Sequence, residues 1–207
     1  MSLPKQQVLF TPDEYLAFER EAEERHEWLD GLIYAMAGES PDHSLINANL
    51  IATLNLQLKG RPCAVFSPNM KVYSRLPSDA SLKGLFSYPD VTIVCGKPVY
   101  HDEHRDVLIN PQVIIEVLSK STEAYDRGEK FERYQVNRSL TDYLLVSQYR
   151  PSIVHYARKA KGRWEYSSET DMTGSLDIAS IQCRLLLADV YDRIEFPADA
   201  EPESPLV

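Results

Sequence analysis

Two carboxylates stand where an apolar run would ordinarily carry an apolar side chain. Asp90 follows Pro89 and opens the run Val-Thr-Ile-Val-Cys, and Glu116 interrupts Val-Ile-Ile-Glu-Val-Leu. Residues of one parity share a face of a strand, so Glu116 should point with Ile114 and Leu118. An ionised carboxylate on such a face is costly unless it is paired or bound to a cation. If the two runs are neighbouring strands, their carboxylates converge, and a hard divalent ion relieves the repulsion. Mg²⁺ (or Mn²⁺) suits such a site, because Mg²⁺ takes oxygen ligands at about 2.0–2.1 Å and keeps waters and phosphate oxygens in its other positions. It orients a water, lowers its pKa and neutralises charge on a scissile phosphate. The backbone carbonyl of Val117 is a natural further ligand. The chemistry implied is phosphodiester hydrolysis. A strand glutamate can equally serve as an ion-pair partner, and its position alone does not separate the two roles.

Other residues compete for roles. Lys130 could reach back from a following helix over Glu116, with Tyr134 one turn on, or it could pair with Asp126 four residues earlier at the surface. Glu27 could face the same site or pair with Arg25. His43 falls near a helix N-terminus, where backbone N–H groups favour anions, or it caps its own helix. The loop His101-Asp102-Glu103-His104 could bind a metal, but mixed charge in a polar loop explains it as well. Ser119 and Thr122 fit a strand-to-helix turn. No Gly-rich phosphate loop, Ser-His-Asp order or HExxH is present.

These residues need elements to hold them. Thr11, Pro12 and Glu14 form a capping box opening a helix over residues 11–25, whose thin stripe of Tyr15, Leu16 and Phe18 predicts a surface position. Asp30-Gly31 between alternating runs predicts a β-hairpin. Ser40 and Pro41 open a second helix, in which Ile46, Leu50, Leu54 and Leu58 recur every four residues before Gly60 and Pro62. Residues 63–75, 86–95 and 112–119 read as three core strands, the last two covered on both faces. A third helix is expected over 126–137, with Asp126 and Glu129 at capping-box spacing and Gly128 an oddity in its first turn. Strands resume with Asp-Tyr-Leu-Leu-Val-Ser-Gln, Ser-Ile-Val-His-Tyr-Ala-Arg-Lys and Arg-Trp-Glu-Tyr-Ser-Ser-Glu, and residues 184–195 close the domain. The pattern predicts an α/β (α+β) fold: a central mixed sheet flanked by helices over residues 11–195, after an extension of residues 1–10. The Pro- and Glu-rich residues 196–207 read as a disordered tail.

The bulk numbers set limits. The chain has 207 residues, 43% apolar and 26% charged, which fits one globular domain. No run approaches the ~20 apolar residues of a membrane span, and the N-terminus lacks a signal-peptide core, so export is not expected. Cys63, Cys95 and Cys183 are odd in number and far apart, fitting neither a disulfide framework nor a zinc site; buried thiols in a reducing cytoplasm are expected. The net charge of −9 argues against gripping nucleic acid through many phosphates, while clustered carboxylates suit a metal site.

The whole pattern resembles the PD-(D/E)xK nucleases, which place an acid after proline on one strand and a D/E-x-K triplet on the next. Pro89-Asp90 matches the first part and Glu116-Val117-Leu118 the second. The match is closest to the Uma2-like (DUF820) branch: Glu27-Trp28-Leu29-Asp30-Gly31, His43 before a helix, Pro89-Asp90, Glu116-Val117-Leu118-Ser119, Ser121-Thr122 and Asp126-Arg127-Gly128-Glu129-Lys130, then Tyr134. It covers about residues 10–195, and the Glu116 and Asp126 segments at this spacing are highly specific. The resemblance implies a restriction-endonuclease-like fold and a Mg²⁺- or Mn²⁺-dependent endonuclease acting on DNA. Asp90 and Glu116 would bind the metal, and Glu27 and His43 would support the site. Leu118 departs from the motif where lysine is usual, and the resemblance implies that Lys130 substitutes. The rival readings are a nuclease-fold binding protein without efficient chemistry, and a nuclease for RNA or branched substrates. Cutting two strands is simplest with two symmetric sites, so a homodimer is expected, with Tyr156, Trp164 and Tyr166 as interface or core.

Overall fold

The computed structural model describes residues 8–75 and 82–196. Helix α1 (Pro12–Glu21) leads to the hairpin β1 (His26–Leu29) and β2 (Leu32–Ala35), then to α2 (Pro41–Gln57). Strands β3 (Cys63–Phe66), β4 (Lys71–Arg75), β5 (Gly84–Ser87), β6 (Val91–Cys95), β7 (Val107–Leu108) and β8 (Val113–Leu118) follow. Short helices α3 (Glu123–Arg127) and α4 (Glu129–Tyr134) come next. The chain continues through β9 (Asp142–Ser147), β10 (Ile153–Arg158), β11 (Trp164–Glu169), β12 (Ser175–Ile178), β13 (Cys183–Leu186) and α5 (Leu187–Val190).

The local signals act as their chemistry dictates. Thr11 and Glu14 close a reciprocal capping box on α1. Ser40 Oγ accepts the His43 N–H at the start of α2. Asp30 and Gly31 take φ of 49° and 93°, the left-handed conformations a two-residue hairpin turn requires. Cα partners then run His26↔Ala35 to Leu29↔Leu32.

The fold is the expected α+β arrangement of mixed sheet flanked by helices, its strands forming two mixed sheets and a ribbon among the described residues. The larger has order β11-β10-β9-β8-β6-β3 and the smaller β2-β1-β5-β4-β7, with β12 and β13 paired separately. Each contains a single parallel pairing, β8 with β9 and β4 with β7. The runs expected as continuous strands, 63–75 and 86–95, are each broken in two and change sheets. The breaks fall at Pro68 and Pro89, residues that cannot donate to a ladder. A turn from Met70 N–H to the Ser67 carbonyl marks the first.

Parity decides what each face of the larger sheet meets. Val113, Ile115 and Val117 face α2 through Ile46, Leu50 and Leu54, with α5 and the ribbon on the same side. Ile114 and Leu118 face Phe131 and Tyr134 of α4 and Val72 and Leu85 of the smaller sheet. The other side of the smaller sheet is covered by α1: Tyr15 and Leu16 are buried against Trp28, Tyr73 and Phe86, so this helix belongs to a core, and of its apolar stripe only Phe18 is exposed.

Two further expectations are corrected. The helix expected over 126–137 begins earlier and is broken at Gly128, so Asp126 and Glu129 do not cap it. A Cβ at Gly128 would lie 3.2 Å from the Ala124 carbonyl oxygen, a crowding that accounts for the glycine. Cys63 and Cys95 are direct partners on antiparallel β3 and β6 and form a disulfide; only Cys183 is a buried free thiol. The cysteines therefore give no support to a reducing compartment. No described helix is long and apolar enough to cross a membrane. Of the N-terminal extension, Phe10 is described and is tied to the hairpin by hydrogen bonds with Gly31 and Trp28. Of the tail, only Phe196 is described; it packs on Tyr191, and the rest lies outside the described residues.

Candidate active site

The site forms where β6 stops. Its ladder with β8 ends at Val91↔Ile115, leaving the next inward N–H of β8, that of Val117, without a strand partner. Asp90 sits in the sheet-changing segment just before β6, and its Oδ2 accepts that N–H at 2.7 Å. The Asp90 N–H in turn points at Glu116 Oε2, 3.4 Å away. Proline supplies the break and the aspartate repairs the backbone count that the break leaves open. Asp90 and Glu116 are thereby adjacent and both buried.

Lys130 reaches the same point from α4. Its Nζ lies 3.1 Å from Glu116 Oε1, 3.1 Å from Glu27 Oε1 and 3.4 Å from Asp126 Oδ1. The surface pairing with Asp126 and the site position are thus one arrangement, and it is buried. The break at Gly128 places Asp126 at the end of α3 and Lys130 in the first turn of α4, where Lys130 meets both Asp126 and Glu116. Leu118, on the same face as Glu116, packs in the apolar cluster with Phe131 and Tyr143.

Glu27 does not pair with Arg25, whose partner is Glu39 at 3.7 Å. Glu27 Oε1 instead accepts the Tyr88 N–H at 3.3 Å as well as facing Lys130. His43, one turn into α2, brings Nε2 to 2.8 Å from Asp90 Oδ1. All five candidate side chains therefore meet. By contrast, His101-Asp102-Glu103-His104 does not assemble: Asp102 pairs with Arg20, and His101 packs edge-on against Tyr73 and Phe86.

Glu39 and Gln148 carried no sequence signal of their own, whereas Tyr134 falls one turn beyond Lys130 as expected. Tyr134 donates its hydroxyl to Glu116 Oε1 at 2.8 Å and contacts Ser87 Oγ at 2.9 Å. Gln148 donates to the Leu118 carbonyl and accepts from Ser40, joining β8 to the start of α2. Glu39 lies with His43 and Asp90 close enough for all three to share one cation. Ser119 organises the turn into α3 through Ser121 and Thr122, as its position suggested.

Charge at this centre is undercompensated. Burial pushes the Glu116 carboxyl well up, and the Lys130 ammonium offsets only part of that. Desolvation opposes the charge on Lys130 too, but Glu116, Glu27 and Asp126 together outweigh it and hold its pKa high. The two directions look contradictory for an ion pair. They are reconciled because several acids share one ammonium: the cation is fully satisfied and the acids are not. Burial likewise raises Asp126, and the Lys130 charge offsets only part of that. Burial would lower His43, but the hydrogen bond and charge of Asp90 prevail and favour the imidazolium.

These groups line a cleft of about 700 Å³ between the hairpin, the start of α2, the β8–α3 turn and the β9–β10 turn. A buried acid–lysine cluster thus stands at the end of a broken strand, in a mixed α+β fold with helices on its sheets. The chain belongs to the Uma2 family, described as "Putative restriction endonuclease", whose model matches residues 12–185. Two Synechocystis proteins are similar to it, both carried as uncharacterized. The protein slr1290 is 37% identical over 155 residues, 74% of this chain and 77% of that one. The protein sll1609 is 31% identical over 156 residues, 75% and 85% respectively. A crystal structure from Anabaena variabilis, titled as a "putative nuclease belonging to DUF820", shares the fold. Its TM-score is 0.70 at 17% identity, covering 88% of this chain and 97% of that one.

Proposed function

We propose that this chain is a Mg²⁺- or Mn²⁺-dependent endonuclease hydrolysing phosphodiester bonds in DNA. The observation that carries the reading is the convergence of Asp90, Glu116 and Lys130 despite Leu118 at the usual lysine position. The donor set fits a hard cation: carboxylate oxygens in surplus over the one ammonium and one imidazole beside them. Asp90 and Glu116 would hold it. In an extended strand a residue's N–H and C=O face one edge. The Val117 carbonyl therefore lies on the Asp90 edge, available as a third ligand. A bound ion of this kind would polarise a phosphate oxygen and lower the pKa of a coordinated water.

The chain's own groups supply the rest. The Lys130 ammonium, fixed by three acids, can align the attacking water and stabilise charge building on phosphate. His43 is biased toward its protonated form by Asp90 and can donate a proton to the leaving oxygen. Glu27 can hold Lys130 in place, and Tyr134 can hold Glu116 through its hydroxyl.

The test is a cleavage assay on plasmid and oligonucleotide DNA with Mn²⁺, using wild type, Asp90→Ala and Glu116→Ala. Cleavage by the wild type alone, with all three proteins folded, is the expected outcome. Metal-dependent cleavage retained in both variants sinks the assignment. A wild type that neither cuts nor binds Mn²⁺ by calorimetry supports a binding protein that keeps the fold without the chemistry.

A further inference from the structure

The reaction centre is recessed: Glu116 is 3%, Lys130 6% and Asp90 8% exposed. A scissile phosphate must therefore enter the cleft rather than lie across its mouth. Six carboxylates line that cleft, Glu27, Glu39, Asp90, Glu116, Asp126 and Glu129, against Arg25, Lys130 and His43. Lys130 is already shared among three of the acids, and Arg25 faces Glu39 and the Pro68 carbonyl. Duplex DNA carries one charge per ~1.7 Å of its axis, and proteins that hold it neutralise many phosphates with lysine and arginine. This lining, in a chain of net charge −9, does not provide them.

What the cleft offers instead is aromatic surface. Tyr34 stands directly across the hairpin from Glu27, on the same face, and is 49% exposed. Tyr149, in the β9–β10 turn, is 37% exposed. Its hydroxyl is pinned by the Lys120 N–H at 3.0 Å, and the Lys120 ammonium lies 5.3 Å from its ring centroid. Both rings line the same cleft as the acids, Tyr34 from β2 and Tyr149 from the β9–β10 turn. A fixed tyrosine with a cation beside it is a stacking platform for a base, and base–aromatic stacking adds binding free energy for each base to whatever phosphate contacts a single strand makes. Bases within a duplex are already stacked on their neighbours and cost free energy to unstack, whereas an unpaired base has its faces free, and a flexible strand can lower its phosphate into a recess.

We infer that the DNA taken by this site is single-stranded, held by base stacking on Tyr34 and Tyr149 while its phosphate enters the Asp90–Glu116–Lys130 recess. The inference rests on the nuclease reading above, and the two can fail separately.

The experiment uses the full chain and one fluorescein-labelled oligodeoxynucleotide, either unpaired or annealed to its complement. Binding is read by anisotropy in Ca²⁺ and cleavage in Mn²⁺. The unpaired strand should bind and be cut on the order of ten-fold or more in preference to the duplex. Tyr34→Ala and Tyr149→Ala should each weaken its binding by on the order of ten-fold, the scale of one stacked base. Circular dichroism melting should show both variants folded, and Tyr34→Phe should retain binding because a phenyl ring still stacks. Equal binding and cutting of the duplex, or strand binding unaffected by both alanine variants, overturns the inference while leaving the nuclease reading intact. Tyrosine-dependent binding of the unpaired strand without cleavage of either form supports the inference and removes the nuclease reading. No binding of the unpaired strand overturns it.

Discussion

Lys130 Nζ lies 3.1 Å from Glu116 Oε1, so a helix residue stands where the D/E-x-K pattern would put one from the strand itself. Leu118 points to the same side of β8 but is consumed by apolar packing. Lys130 comes instead from α4, which begins directly after the break at Gly128. Its charge is shared with Glu27 and Asp126, which makes it as much a structural ion as a chemical one.

Lys130→Met should therefore have two effects. It removes the one ammonium from a buried acid cluster, and breaking such an arrangement costs about 3–5 kcal/mol when a charge is left unpaired. Urea unfolding without metal should show a loss of this order, and Mn²⁺-dependent cleavage should disappear. Full activity at unchanged stability would mean that Lys130 has no part in either.

A second ionic cluster predicts the acid limb of stability. Burial alone would raise Asp106, but hydrogen bonds and charge from Arg20 and Lys71 outweigh it and hold its carboxyl well below the usual carboxylate range. A depressed folded-state pKa contributes stability that is complete above the unfolded value, about 3.9, and is lost as pH falls through the folded one. The melting temperature of Asp106→Asn should lie below that of wild type at neutral pH, and the gap should close progressively below about pH 4. A gap that is constant down to low pH would contradict this account of Asp106.

The disulfide offers a third check. Cys63–Cys95 ties the edge strand β3 to β6 and closes a loop of sequence separation 32. Bridges of this kind typically contribute about 2–4 kcal/mol. Reduction, or Cys63→Ser with Cys95→Ser, should lower urea stability by that order, and adding reductant to the double variant should change nothing further.

Much of this architecture is legible in the residues. Capping at Thr11 and Ser40, the Asp30-Gly31 turn and the four-residue repeat of Ile46, Leu50, Leu54 and Leu58 are local signals, and local physics suffices to place them. The parity argument for Glu116 is also local, and it puts the carboxylate on the face where Lys130 arrives. What could not be read is non-local. The pairing of Cys63 with Cys95 follows from strand register. The change of sheet at Pro68 and Pro89 depends on which partner each half-strand finds. The burial of Tyr15 and Leu16 depends on the smaller sheet beneath α1. Tyr134 fell on the right helix face, but its hydrogen bonds to Glu116 and Ser87 need the two sheets in place.

The account stands or falls on whether Asp90 and Glu116 share a cation. A crystal of the protein soaked in Mn²⁺ and measured for anomalous scattering tests this directly. The predicted result is a peak bonded to both carboxylates, with the Val117 carbonyl as a ligand and Lys130 in the same pocket. The contradicting result is a fully occupied manganese site elsewhere on the protein with no peak between Asp90 and Glu116.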